Sequence, residues 1–168
     1  MGAAVAGLLL LGVFFTGQAM MSRSTLYGNL LVATANKEAV RLSGERARSA
    51  IAIDGITTDG LCNLTVDVDN TGAVSIRDPS LMDVVVQFAG GSTAAQRLVY
   101  VGSSPLALGE WTANSISGQF EPGIFNPGET MQISGKLSLS APESTGIVTV
   151  GTPNGVIDAA YFPAVTPC

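Results

Sequence analysis

The first 21 residues of the chain, MGAAVAGLLLLGVFFTGQAMM, contain no charged side chain and have glycines at positions 2, 7, 12 and 17. About 20 apolar residues in a helix span the roughly 30 Å hydrocarbon core of a bilayer. A secretory signal has a similar composition, and residues 17–19 form a small-x-small cleavage pattern. Signal peptides carry positive charge before the apolar run, whereas no Lys or Arg precedes it here. We therefore expect this segment to belong to the folded protein.

The following segment continues the helical pattern. Residues 22–53 contain no proline, and their apolar residues recur at steps of three, four and seven, as on one face of a helix. The repeating residues are Leu26, Leu30, Ala33, Val40, Ala47 and Ile51. Asp54 and Gly55 provide a stop, because Gly is favoured just past the end of a helix. The sequence predicts one helix over about residues 2–53, within a first domain of residues 1–54.

This helix needs more apolar surroundings than one small domain provides. At 1.5 Å per residue it is roughly 75–80 Å long, which exceeds the thickness of any bilayer. We expect it to pack against copies of itself or against partners, with glycines allowing close approach of the backbones. The alternative is a plain membrane span in which the glycines are incidental. The residues predicted to mediate assembly are Gly7, Gly12, Gly17, Leu8, Leu11, Phe14 and Phe15.

After residue 60 the apolar period changes from 3.6 to 2. LTVDVDN and MQISGKLSLS alternate apolar and polar side chains, as half-buried strands do. Further strands are predicted at residues 73–76, 81–88, 97–101, 147–150 and 156–161. The fold class is therefore α+β: a long N-terminal helix followed by an immunoglobulin-like antiparallel β-sandwich over residues 55–168. Residues 102–127 are predicted to be exposed loops, with Trp111 favoured as a core residue over a contact between subunits.

Charge is distributed unevenly along the chain. Residues 23–48 contain five basic and two acidic side chains, whereas the chain from Asp54 onward contains three basic and eleven acidic ones. Nucleic-acid binding needs a basic footprint on the exposed domain. We therefore expect no nucleic-acid partner.

The residues required for common enzyme chemistry are missing. Histidine is absent, which removes the commonest general base, the triads that use it and most catalytic zinc sites. The sequence also lacks a phosphate-binding loop that ends in Gly-Lys-Ser/Thr. We predict a protein that is not an enzyme and has no cofactor.

One segment has the spacing of a calcium loop. Asp67, Asp69, Thr71 and Asp78 place oxygen ligands at positions 1, 3, 5 and 12, with Gly72 at position 6. The flanking residues alternate as strands, however, and position 12 is Asp where a bidentate Glu is usual. A hairpin turn with outward aspartates is the simpler interpretation. We predict no metal site, and Asp67, Asp69 and Asp78 are weak candidate ligands.

Two further covalent features concern the head. Cys62 and Cys168 are the only cysteines, and in an oxidising exterior we expect them to form a disulfide, with unpaired buried thiols as the alternative. Closing so long a loop contributes about 4–5 kcal/mol in the chain-entropy model. Asn63-Leu64-Thr65 matches the N-glycosylation pattern. Asn63 is a weak candidate because this short pattern recurs often by chance.

A glycine-dotted apolar N-terminus that runs into a long helix and then an all-β head resembles the type IV pilin superfamily, and within it the archaellins of the archaeal swimming filament. Bacterial pilins usually carry Glu at the fifth mature position. Val5 here is more similar to archaellins if Met1 is the mature start. The NTG of residues 70–72 and the NPGE of residues 126–129 are also similar to the β domains of archaellum stator proteins. Pilin-like precursors have a short basic leader, and none is visible here.

This resemblance implies a structural subunit of an extracellular, archaellum-type motility filament. Its helices would form a dry core with many copies of itself, and the β heads would form an acidic coat. The helix would be held in the membrane before assembly, with motor and platform proteins as further partners. The alternatives are a stator-like component or an adhesion pilin anchored at the membrane. A membrane-anchored binding module is a further hypothesis, and it belongs to a different functional class from these structural proteins.

Overall fold

The protein divides into a helical N-terminal region and a β head. The computed structural model describes residues 2–59, 62–88, 95–118, 121–137 and 145–163. Two compact units are present, Met1–Ser43 and Gly44–Cys168. The architecture is α+β, as predicted, with one helix and an eight-stranded sheet in the described ranges.

Helix α1 extends over Gly2–Arg48, a total of 47 residues. It ends several residues before the predicted boundary at residues 53–54, so this part of the prediction was wrong. Ser49 N still donates to Glu45 O at 3.0 Å, but the next residues leave the helix. Ile51 continues the helical apolar spacing, yet its side chain is buried in the core of the head. Tertiary packing therefore overrides the local helical period at this point.

The described residues of the head form eight strands: β1 (Ala52–Thr58), β2 (Asn63–Asp69), β3 (Asp83–Phe88), β4 (Ala95–Tyr100), β5 (Glu110–Ser117), β6 (Thr130–Lys136), β7 (Gly146–Gly151) and β8 (Ile157–Phe162). Their hydrogen-bonded order is β1-β2-β6-β5-β4-β3-β7-β8. Every pair is antiparallel except β4–β5, which is parallel, so the prediction of a wholly antiparallel sheet was wrong. Ile53 N donates to Asp158 Oδ2 at 2.8 Å between β1 and β8. The two ends of the sheet thus approach each other, and the head is a nearly closed sandwich.

Six of the eight strands coincide with predicted ones, and two were missed. The first two residues of β1 were assigned to the end of the helix and the others to its stop region, while β5 was assigned to the exposed loops of residues 102–127. Both strands contain a register shift, between Ile53 and Gly55 in β1 and between Ala113 and Ser115 in β5. Such a bulge breaks the two-residue alternation from which strands are recognised. The predicted strand at residues 73–76 was also wrong, since only an isolated Ile76–Phe125 bridge forms there.

The core lies between the two halves of the folded sheet. Trp111 is buried within it, which confirms the prediction, and its ring meets Tyr100 edge-on at a centroid distance of 4.8 Å. Gly135 is paired with Trp111, and a Cβ there would lie 2.9 Å from Leu98 Cδ1. Gly146 gives similar room to the Phe162 ring, because a Cβ would lie 2.0 Å from Phe162 Cζ. Large side chains and glycines are therefore matched across the core.

Two loops of the head are joined through Asn70, whose side chain is only 1% exposed. Its Nδ2 donates to Val74 O and to Phe125 O, both at 3.0 Å. Its backbone N–H donates to Glu129 O at 3.0 Å, and its carbonyl accepts from Gly128 N at 2.8 Å. The NTG and NPGE motifs singled out in the sequence therefore form one connected pair of loops.

The same loops bind the end of α1. Ala73 N donates to Arg48 O at 2.8 Å, and Gly72 N donates to Ala50 O at 3.0 Å. Helix ends leave backbone carbonyls without intrahelical partners. Here backbone amides of the head are the hydrogen-bond partners of the carbonyls at the end of α1. We call this arrangement, formed by residues 48–50, 70–73 and 126–129, the helix-end clasp.

The clasp predicts a specific effect of Gly72→Ala. A Cβ at this position would lie 2.4 Å from Ala50 N and 2.8 Å from Arg48 O, and both of these are backbone atoms. We expect the variant to lose roughly 1–3 kcal/mol of stability, as overpacked sites do. Amide hydrogen exchange at Ala73 should become faster. The measurements are thermal unfolding and exchange of the full chain in detergent.

Gly102→Ala is the matched control, since a Cβ there meets no atom within 4 Å. It should unfold like the original chain. Equal melting temperatures and equal Ala73 protection in the Gly72 and Gly102 variants would contradict the role assigned to the clasp.

The predicted disulfide joins the entrance of β2 to the far end of the chain. Cys62 directly precedes β2, and its carbonyl accepts from Leu137 N at 2.8 Å. Its thiol is not free. Cys168 lies outside the described residues, so its pairing with Cys62 stays a prediction.

The pairing predicts a mass difference in the purified protein. The intact mass under non-reducing conditions should be two hydrogens lower than after full reduction. Reduction should also lower the melting temperature, because an open chain gains entropy in the unfolded state. Cys168→Ser should lower the melting temperature equally and remove the effect of reductant. Two thiols that titrate quantitatively in the folded protein would end this idea.

Candidate assembly surface

Helix α1 exposes large apolar side chains along most of its length. Leu11, Phe14 and Phe15 are 56%, 63% and 67% exposed in the isolated chain. The same holds for Val13, Met20, Met21, Leu26, Tyr27, Leu30, Leu31, Val32, Val40 and Leu42. Soluble monomers rarely expose apolar patches of this extent. This surface is the strongest structural indication of an assembly or membrane environment.

The glycines of the first half of α1 do not form one stripe. Gly7, Gly12 and Gly17 are spaced by five residues, and each step turns about 140° around an α-helix with 3.6 residues per turn. Apart from the two neighbouring residues and the backbone of the helix itself, a Cβ added at any of the three meets no atom within 4 Å. Close approach is therefore possible on several sides of the helix. This arrangement suits a helix with several neighbours better than a helix in a single pair.

Two threonine hydroxyls of this helix have hydrogen-bond acceptors within it. Thr16 Oγ1 donates to Gly12 O at 3.0 Å, and Thr34 Oγ1 donates to Leu31 O at 2.9 Å. Buried hydroxyls without a partner are costly. Because these two already have acceptors in their own helix, neighbouring helices can cover them without leaving a polar group unpaired.

The second half of α1 contains an exposed ion pair. Arg41 Nε donates to Glu38 Oε2 at 3.0 Å. This hydrogen bond, reinforced by the charge of Arg41, holds the pKa of Glu38 below its usual value. An exposed pair of this kind contributes little to stability. Over the part of α1 whose side chains the structure describes, no stretch is long and apolar enough to count as a membrane span.

The predicted assembly residues all lie on α1. The structure describes the surroundings of Gly7, Gly12, Gly17, Leu11, Phe14 and Phe15, whereas the side chain of Leu8 lies outside its description. Their role in assembly remains a prediction, because a single chain contains no neighbour.

Each of the three weak candidate calcium ligands accepts a hydrogen bond from a different residue. Asp67 Oδ1 accepts from Gln132 Nε2 at 3.1 Å, and Asp69 Oδ1 accepts from Thr130 Oγ1 at 2.5 Å. Asp78 caps the 3₁₀ turn at Pro79–Leu81 by accepting from the amide of the second residue of that turn. Among the described residues, no group of three or more acidic or cysteine side chains is arranged to hold a metal ion.

Asn63, the weak glycosylation candidate, is exposed at the start of β2. Its side-chain amide donates to Asp59 Oδ2, and its backbone N–H donates to Asp59 Oδ1 at 3.2 Å. The acceptor nitrogen is therefore accessible but hydrogen-bonded. It also borders an open cavity of about 300 Å³ whose other polar lining residues include Thr65, Ser134 and Lys136.

The head has two outward sheet faces of different character. The outward side chains of β2, β6 and β5 are polar and form cross-strand rows. These rows are Asn63–Lys136–Glu110, Thr65–Ser134–Thr112, Asp67–Gln132–Ser115 and Asp69–Thr130–Ser117, and all of these residues except Thr112 are at least partly exposed. We call this surface the polar face.

The opposite outward surface, formed by β4, β3, β7 and β8, is mainly apolar. Its apolar members are Val85, Val99, Ile147, Ile157, Ala159 and Tyr161. Its charged residues, Asp83 and Arg97, form an ion pair with each other. We call it the neutral face. This surface was not predicted from the sequence, although β8 contains only one polar residue, Asp158, which was the available signal.

No protein-family model matches the chain, and no curated protein matches it. The solved structures that are similar include proteins of the archaellum. The archaellum periplasmic stator protein FlaG from Sulfolobus acidocaldarius is 25% identical with a TM-score of 0.52, and the match covers 68% of this chain and 99% of that one. The complex of the stator proteins FlaF and FlaG from the same organism gives 25% identity, a TM-score of 0.51, and coverage of 67% and 87%.

The third similar structure is the archaeal flagellum of Methanospirillum hungatei. It is 12% identical with a TM-score of 0.61, and the match covers 98% of this chain and 94% of that one. At this identity the likeness shows the fold alone. All three structures are archaellum components rather than enzymes. The fold of this chain is therefore similar to that of archaellum proteins.

Proposed function

We propose that this protein is a non-enzymatic archaellum component of the stator type, held in its assembly by α1. The observation that carries the proposal is the 25% identity to FlaG across 99% of that solved chain. The likeness to the filament protein extends further along this chain but has only 12% identity. Similarity of sequence as well as fold favours the stator role.

A filament subunit is the second candidate function. The match to the archaeal flagellum covers 98% of this chain, so it includes the long helix as well as the head. The glycines around α1 also favour a helix with several neighbours, as in a filament core. In this version many copies form the filament, with α1 inside and the acidic heads outside.

Both versions share several elements. Helix α1 (Gly2–Arg48) and the β head that follows it perform separate tasks. The apolar opening segment is held in the membrane before assembly, and the head lies on the outer side of the membrane. Motor and platform proteins are further partners, while nucleic acid is excluded by the acidic head.

The two versions differ in copy number and location. Shearing cells detaches surface filaments from the envelope. A stator-type component should stay with the envelope at a small fraction of the filament subunit's abundance, and deletion of its gene should abolish swimming. A filament subunit should instead be the dominant protein of the sheared fraction. Quantitative mass spectrometry of both fractions, together with swimming assays, measures this difference.

Normal swimming of the deletion strain would contradict both versions. If the deletion strain swam normally but no longer attached to surfaces, the protein would instead be an adhesion pilin. Dominance of the protein in sheared filaments would contradict the stator role and establish the filament role.

Gly12→Leu tests whether α1 joins the assembly through close helix contacts. The side chain would enter open space in the isolated chain, so the head should melt unchanged. In a packed assembly, a bulky side chain at a close contact forces the backbones apart. We expect association between copies to fall at least ten-fold, and Gly7→Leu should act in the same way. Pull-down of an untagged copy by a tagged copy in mild detergent measures the association.

Gly12→Ala is the graded control, since it adds one methyl group at the same position. It should retain most of the association. If Gly12→Leu and Gly7→Leu both associated normally, the glycines would have no packing role in the assembly.

A further inference from the structure

We infer that the neutral face is a docking surface for the neutral face of a second copy of this chain. The inference deepens the proposed function and rests on it in one respect: several copies must be gathered by α1. It concerns the head alone, since every residue that carries it lies in the unit Gly44–Cys168.

The neutral face presents its apolar side chains in register. Tyr161 pairs with Ile147 across β8 and β7, and Ala159 pairs with Thr149 in the next row. Val85 continues this second row on β3. Ile157 and Tyr161 are 69% and 74% exposed. The outward side of an antiparallel sheet normally carries polar residues when it faces water, and the polar face of the same head does so.

Charge does not oppose a like-charged partner at this surface. The chain from Asp54 onward has eleven acidic and three basic residues, so two heads repel each other over most of their surface. On the neutral face, Asp83 and Arg97 compensate each other as an ion pair. A basic partner would be attracted to the polar face, which carries Asp67 and Asp69. Of the two sheet faces, the neutral face is thus the one through which two acidic heads approach with less repulsion.

The size of the face sets the strength of the contact. Four strands at about 4.8 Å spacing, each about 20 Å long, give a sheet of roughly 400 Å². Stable interfaces bury about 800 Å² on each partner. The contact is therefore weak between free heads. It becomes populated when α1 tethers the copies, because tethering raises the effective concentration to the millimolar range.

A two-fold arrangement suits this surface. In such a dimer, each residue of the face meets the same surface of its partner. Two antiparallel sheets that pack face to face lie about 10 Å apart. The apolar rows of β7 and β8 would then interdigitate, while the Asp83–Arg97 pairs lie beside them. Other possible occupants are a different head protein or residues 164–168 of the same chain, and the test separates them.

The test uses the full chain in mild detergent, with a photo-cross-linker placed on either face. Tyr161→benzoylphenylalanine reports on the neutral face, and Gln132→benzoylphenylalanine is the control on the polar face. Mixing copies labelled with ¹⁵N and ¹⁴N distinguishes adducts between copies from adducts within one copy. We expect adducts from position 161 to be at least ten-fold more abundant and to map to residues 83–88 and 146–162 of the other copy.

A charge substitution checks the same contact independently. Ile157→Lys should reduce the cross-link from position 161 at least ten-fold, because it brings a charge into an apolar contact. Thr65→Lys on the polar face should leave it unchanged. Both residues point outward, so neither change affects the core.

The outcomes separate this inference from the proposed function. Copies that co-purify through α1 but cross-link equally from both faces would overturn the docking surface and leave the proposed function intact. Adducts only within one copy, for example to residues 164–168, would also overturn it. The docking surface would also be overturned if, in cells, position 161 formed adducts with a different head protein and not with a second copy of this chain.

Discussion

The hydrogen bonds between the end of α1 and the loops of the head determine where the helical region stops and the β head begins. A helix that ends inside a folded unit needs partners for its last carbonyls. Here Gly72 and Ala73 supply amide donors to Ala50 and Arg48. The loop that carries these donors is fixed by Asn70, which is itself joined to the loop at residues 126–129. The end of the helix is thus set by tertiary contacts rather than by a local stop signal.

The sequence predicted most of the fold because its apolar periods are clear. A charge-free opening and a proline-free continuation predicted α1, and regular alternation predicted strands such as β2 and β6. The failures occurred where a local pattern is interrupted by tertiary structure. Ile51 fits the helical spacing but packs into the head. Bulges near Asp54 and Asn114 shift the alternation in β1 and β5, so neither strand has the signature by which strands are recognised.

The candidate site was predicted in part for a similar physical reason. The absence of charge over residues 1–21 identifies an apolar surface without knowledge of the fold. The neutral face, in contrast, exists only through strand order. Alternation shows that each strand has an inner and an outer side, but the strands that become neighbours decide which outer sides combine. Ile157 and Val99 join one surface because β8, β7, β3 and β4 are consecutive in the sheet, and no local pattern encodes that order.

In the proposed assembly, α1 and the neutral face contribute different kinds of contact. Apolar burial is non-directional and grows with area, so the charge-free first half of α1 stabilises many arrangements of its neighbours. A sheet face with fixed rows and an ion pair admits few orientations, but it is too small to hold two copies alone. Joining both in one chain gives the weak contact a high effective concentration. The helix then provides the strength of association, and the head selects which of the permitted arrangements is occupied.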